Sequence, residues 1–193
     1  PPERLGRFSI AIIGAFATLL LVWFAWTPAA SAVKAALGRR FIYELLAAVA
    51  AIDEATLRDR LRKLVSGELI YREASPRHEA FKFKHALIQD TAYASMLKAT
   101  RKSIHEKIAR VLEERFPETA DVQPELLARH FEEAHILDRA VDYLTRAGQK
   151  AMQRSALIEG LRHYTHAIDL LSGMPPSIER DRRELAARLG MGG

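Results

Sequence analysis

Phe81-Lys82-Phe83-Lys84-His85-Ala86-Leu87-Ile88-Gln89-Asp90-Thr91-Ala92-Tyr93 is the stretch on which the fold turns. Its first residues alternate apolar and basic, the period of a half-buried strand. From His85 onward Leu87, Ile88, Thr91, Ala92 and Leu97 recur at helical spacing, with no Gly or Pro between them. A strand is therefore expected to run straight into a helix, with His85 at the junction. A helix start carries free backbone N–H groups and partial positive charge, so this junction is suited to meet an anion.

Working back from it, Ala80–Lys84 reads as the returning strand of a hairpin whose outgoing strand is Glu68–Arg72. A polar, Pro-containing loop joins the two. Upstream, Leu57, Leu61, Leu64 and Val65 place one apolar face on a helix over Asp53–Val65, with Asp53 as its N-cap and Gly67 as its end. A further helix is expected over Arg40–Ala51, with Phe41, Leu45, Leu46 and Val49 inward. Two helices at a tight turn followed by a β-hairpin predict a winged helix-turn-helix.

That motif raises DNA binding as a function. Arg58, Arg62 and Lys63 on the second helix and Arg77 at the hairpin tip are the residues that would touch a phosphate backbone. The end of that helix that would enter a major groove, however, carries Asp53 and Glu54, which repel phosphate. A winged helix that packs on protein is the leading reading; a DNA-binding regulator is the alternative.

The flanks differ sharply from this middle. Phe8–Trp26 (FSIAIIGAFATLLLVWFAW) contains no charge and is long enough for a helix to cross a bilayer, with Trp23 and Trp26 at one end. It predicts a membrane anchor within residues 1–35. A cleaved signal peptide, with Ala30-Ser31-Ala32 as its small-residue site, is the rival reading. The chain opens on Pro1 rather than Met, as a fragment or processed product would.

Downstream, Thr100–Phe116 reads as a helix that Pro117 stops, with Ile104, Ile108, Val111 and Leu112 inward and His105 on a partly exposed face. Helices follow over Pro124–Ala134, Asp138–Arg154, Ala156–Leu171 and Ile178–Leu189, without strands. The series Leu144, Ala147-Gly148, Ala151, Gly160, Tyr164, Ala167 has the spacing of a tetratricopeptide unit. Gly160 stands where Ala is usual. A weaker, overlapping copy precedes it, so residues 121–193 are expected to form a short helical-repeat array. The surface of such an array is a seat for a protein partner.

At this point the order of parts resembles one bacterial family. GRRFIYELLAAVA (Gly38–Ala50), FKFKHALIQDTAYASML (Phe81–Leu97), QPELLARHFEEA (Gln123–Ala134) and RAVDYLTRAGQKA (Arg139–Ala151) appear in the order found in signal-transduction ATPases of the STAND class. Those proteins are often fused behind a class III adenylate/guanylate cyclase domain. In them a P-loop ATPase domain is followed by a winged helix and then tetratricopeptide repeats. The resemblance covers the chain from about Ala36 to its end. It implies a histidine at the strand-to-helix corner that contacts the β-phosphate of ADP, which here falls on His85. Of the family's Met-His-Asp motif only the histidine matches, since Lys84 and Ala86 flank it.

The chain itself carries neither a Gly-x-x-x-x-Gly-Lys-Ser/Thr loop nor cyclase metal carboxylates, so ADP or ATP would come only with an ATPase domain. Cysteine is absent, which excludes disulfides and thiolate chemistry. The seven histidines form no ligand set; His163 and His166 lie three apart, without a nearby carboxylate in phase. A net charge of +5 with pI near 9.6 is a mild excess that solvated helix faces absorb. The expectation is thus a mostly α chain: a single apolar transmembrane helix, a winged helix over 36–120 and a helical array over 121–193. It would be non-catalytic, cytoplasmic at the inner membrane, and would couple a nucleotide switch to a repeat sensor. A degenerate gene product without independent function is the remaining alternative.

Overall fold

A computed structural model describes residues 40–50, 52–74, 78–85, 87, 90, 93–94 and 96–192. Contacts divide the chain into two units, Pro1–Met96 and Leu97–Gly193.

In the first unit the described elements are β1 (Arg40–Ile42), α1 (Tyr43–Ala50), α2 (Glu54–Ser66), β2 (Ile70–Glu73) and β3 (Ala80–Phe83). The strands form one antiparallel sheet in the order β1-β3-β2. Three strands therefore stand where a two-stranded hairpin was expected, because Arg40–Ile42 does not begin the helix. It pairs instead with β3, Arg40 opposite Lys82 and Phe41 opposite Phe81. The Phe41 and Phe81 rings stack at 5.7 Å, and Phe83 meets Phe41 at 5.9 Å. Such cross-strand aromatic pairs each contribute roughly 0.2–1 kcal/mol relative to an alanine pair. Against this sheet α1 buries Leu45, Leu46 and Val49, and α2 buries Leu57, Leu61 and Leu64.

Asp53 caps α2 by accepting from Thr56 N–H at 2.8 Å. At the other end, Gly67 N–H donates to Lys63 O, but the residue that takes the left-handed conformation is Glu68, at φ 55°. Leu69 N–H then returns to Leu64 O and starts β2.

The second unit holds α3 (Lys98–Arg115), α4 (Pro117–Val122), α5 (Pro124–Glu133), α6 (Leu137–Gln153), α7 (Leu157–Ser172) and α8 (Ile178–Met191). Helix α3 packs on α5, and α5, α6, α7 and α8 pack in succession, with α6 also touching α8. Pro117 does not merely stop α3; it opens α4 at a position where its missing N–H costs nothing. The turns α5–α6 and α6–α7 repeat the device seen after α2, with His135 at φ 56° and Ser155 at φ 61°. Small residues line the helix contacts: Ala147, Gly148, Ala151, Gly160 and Ala167 are all buried.

The expected architecture, a spanning helix in front of a winged helix and a repeat array, is corrected in its first part. Phe8–Trp26 lies outside the described residues, and among the described residues no helix is long and apolar enough to cross a membrane. The described fold is mostly helical, with one small sheet.

Candidate functional site

On α2, Arg58, Leu61, Arg62 and Val65 fall at i, i+3, i+4 and i+7 and so share one face. With Arg72 of β2 and Phe81 of β3 this face lines a groove of about 460 Å³. Leu61 and Phe81 are buried, whereas Val65 is 36% exposed, so the floor is apolar and reachable.

Tyr43 forms an end wall. A backbone hydrogen bond from Tyr43 N–H to Glu79 O, 2.7 Å, sets it beside the start of β3. Its ring lies 4.5 Å below the Arg58 guanidinium. Its hydroxyl is buried and, among the described residues, makes no hydrogen bond of good geometry, only a looser approach to the Glu54 carboxylate. Burial pushes the phenol pKa up, and the Arg58 charge opposes that shift.

The arginines are held by carboxylates. Arg58 donates to Glu54 at 2.9 Å and approaches Glu79 at 3.5 Å, while Arg72 pairs with the other oxygen of Glu79 at 2.7 Å. Glu79 therefore serves two guanidinium groups at once. Among the described residues Arg62 makes no ion pair, and it is exposed.

Of the residues singled out in sequence, Arg58 and Arg62 line this groove. Lys63 does not; its ammonium sits 2.7 Å from Asp59. Arg77 lies outside the described residues. His85 is exposed and follows β3 without belonging to a strand or helix, and the helix expected after it falls where residues 86, 88, 89, 91, 92 and 95 are outside the described ones. Lys84 pairs with Glu68, and Arg40 with Glu73. Exposed pairs of this kind add little stability, but each occupies a cation that a phosphate would need. Tyr43 and Glu79 were not legible as site residues, because β-sheet pairing across a loop brings them to α2.

The second unit has a different polar core. His105 of α3 and His130 of α5 are buried, their Nδ1 atoms 2.9 Å apart and their ring centroids 5.0 Å apart. One ring donates and the other accepts, which requires the accepting Nδ1 to be unprotonated. Burial pushes His105 down to about 4, with Glu133 opposing. Burial, and then the neighbouring His105, push His130 down to about 3. The partly exposed position expected for His105 is thus wrong: the face is covered by α5.

Elsewhere on α3, Glu113 accepts from Tyr143 Oη at 2.6 Å and binds Arg139, joining α3 to α6. Tyr143 in turn stacks on Phe131 at 5.6 Å. His166 and His163 do have carboxylates in reach, Glu132 at 3.1 Å from α5 and Glu159 at 3.8 Å on α7. Among the described residues, no group of three or more His, Asp or Glu is placed to hold a metal. On α8, Ile178, Leu185 and Leu189 remain exposed along one line of the helix.

No family model matches the chain, and no solved structure matches it. A stretch of 117 residues, 61% of the chain, is 31% identical to an uncharacterized protein of Rhizobium meliloti (strain 1021). The matched stretch amounts to 11% of that protein, so the chain spans only about a tenth of the curated relative's length.

Proposed function

We infer that the chain is a non-catalytic, cytoplasmic regulatory and protein-interaction part of a STAND-class signalling ATPase of the kind linked to adenylate or guanylate cyclase. The observation that carries this reading is the treatment of charge on the first unit. Its strand and helix cations are mostly paired with carboxylates around an apolar-floored groove, an arrangement that suits protein better than phosphate. Two further points support it. Four separate sequence segments resemble that family in order, and the 31% identical match lies within a far longer protein.

In this reading the first unit receives the state of a nucleotide switch, and the helices of the second present a surface to a signal or partner. His85 supplies the contact to ADP held by an ATPase domain outside this chain. Its exposure leaves the imidazole open to such a contact.

The test is nucleotide retention. Joined to the P-loop domain of a STAND-class protein, the chain should hold ADP through gel filtration. His85→Ala should speed ADP loss about tenfold, the worth of one hydrogen bond to a charged group. Retention indifferent to His85 would sink the assignment.

A further inference from the structure

We propose that the groove between α2 and the sheet is a docking site for a short acidic segment of a partner protein, one that carries an apolar anchor beside its carboxylates. The inference rests on the reading of the first unit as a protein-interaction surface, and it is independent of the nucleotide switch at His85.

Three features of the groove converge on that ligand. The first is charge. Arg58, Arg62 and Arg72 line it with a single carboxylate among them, Glu79, so the lining carries a net positive charge. Of the groove's three guanidinium groups, Arg62 is the one without an ion pair among the described residues, and it stands at the exposed side of α2. Its planar fork matches a carboxylate bidentately.

The second is the floor. Leu61, Val65 and Phe81 form an apolar base that an aliphatic or aromatic side chain would cover. A nucleic-acid backbone has no group to fill that base, and its phosphates would meet Glu79 as well as the arginines. At about 460 Å³ the groove takes an anchor side chain and its neighbours rather than a duplex.

The third is Tyr43. Among the described residues its buried hydroxyl makes no hydrogen bond of good geometry, only a looser approach to the Glu54 carboxylate, and Tyr43 stands in the wall of the same groove. A peptide carbonyl entering there would accept from it. A buried donor without a well-formed hydrogen bond is uncommon in folded proteins, and a ligand is one of the ways to satisfy it.

The experiment uses the full chain, labelled with 15N and titrated at low salt. The probes are a short glutamate-rich peptide with a Leu-Phe core, the same peptide with glutamine in place of glutamate, and a short duplex DNA. The acidic peptide is expected to shift amides of α2, β2 and β3 around Arg62, Val65 and Phe81. The glutamine peptide should bind about tenfold more weakly or worse, as removal of an arginine-centred contact does at interfaces. Arg62→Glu and Val65→Asp alter exposed side chains and should leave the far-UV circular dichroism unchanged, yet each should weaken the acidic peptide by a similar factor. Equal binding of the two peptides, no effect of Arg62→Glu, or no peptide binding at all overturns the proposal. Duplex DNA that shifts the same amides and displaces the peptide overturns it too, in favour of a nucleic-acid surface. None of these outcomes bears on ADP retention, so the two readings fail separately.

Discussion

His105 Nδ1 and His130 Nδ1 share one proton across 2.9 Å in the interior of the second unit; a proton added to the accepting Nδ1 would break that bond, and burial disfavours a charge on either ring. Both folded-state pKa values lie below the ordinary 6.5, at about 4 and about 3. The unfolded chain therefore binds protons first as the pH falls. Stability contributed by the pair is fully present above about pH 6.5, declines as the pH drops from there toward 4, and is exhausted below about 3. Urea unfolding should show a loss on the order of 2 kcal/mol for each ring, about 4 kcal/mol for the pair, between pH 7 and pH 5. A His105→Phe, His130→Leu double variant should flatten that acid slope; a slope unchanged by the double variant would show that other groups carry it.

Tyr164 is clamped between two glycines. A Cβ at Gly148 would lie 2.9 Å from its ring, and one at Gly190 would lie 2.5 Å from Cζ and Oη. Tyr164 is fully buried and cannot swing aside. Either Gly→Ala change should therefore destabilise the second unit by about 1–3 kcal/mol from overpacking, less up to about 1 kcal/mol regained in helix propensity. Removing the hydroxyl separates the two sites. Tyr164→Phe should partly rescue Gly190→Ala, whose clash includes Oη, but not Gly148→Ala, which meets only ring carbons. Thermal unfolding of the four variants reads this directly.

Three helix ends place a side chain in the left-handed region: Glu68, His135 and Ser155. Replacing Ser155 or His135 by Gly should raise stability by roughly 0.5–1 kcal/mol each, since the strain of a Cβ there exceeds the extra chain entropy glycine brings. A lowered melting temperature in both variants would contradict the account.

Leu57 is wholly buried under the sheet of the first unit. Leu57→Ala should cost about 2–5 kcal/mol, and amide hydrogen exchange at Phe41 and Phe81 should accelerate accordingly. Exchange unaltered there would mean that α2 does not anchor the sheet.

Much of this architecture is written in local patterns. The cap at Asp53, the Leu57-Leu61-Leu64 stripe and the small residues of α6 and α7 each act within a few residues of themselves, so spacing reveals them. What escaped detection depends on partners distant in sequence. Arg40-Phe41-Ile42 has no alternation of its own and becomes a strand only because β3 pairs with it. His105 looked like an outward histidine because nothing near it in sequence announces His130, which arrives from another helix. Glu68 was overshadowed by Gly67: the glycine marked the end of α2, but the turn places its left-handed residue one position later. The groove was half visible, since Arg58 and Arg62 stood out while Tyr43 and Glu79 reach them only through the fold.

Glu79 gives the groove a built-in competitor. Because its carboxylate already occupies Arg58 and Arg72, an incoming acidic residue that reaches past the open Arg62 must exchange with it rather than fill an empty seat. Exchange of one carboxylate for another gains little free energy, so contacts to Arg58 and Arg72 add little to the residence of a partner held at Arg62. Glu79→Gln would remove the incumbent and lengthen the residence of an acidic peptide. The same residue that keeps two arginines ordered thus tunes the surface for rapid release.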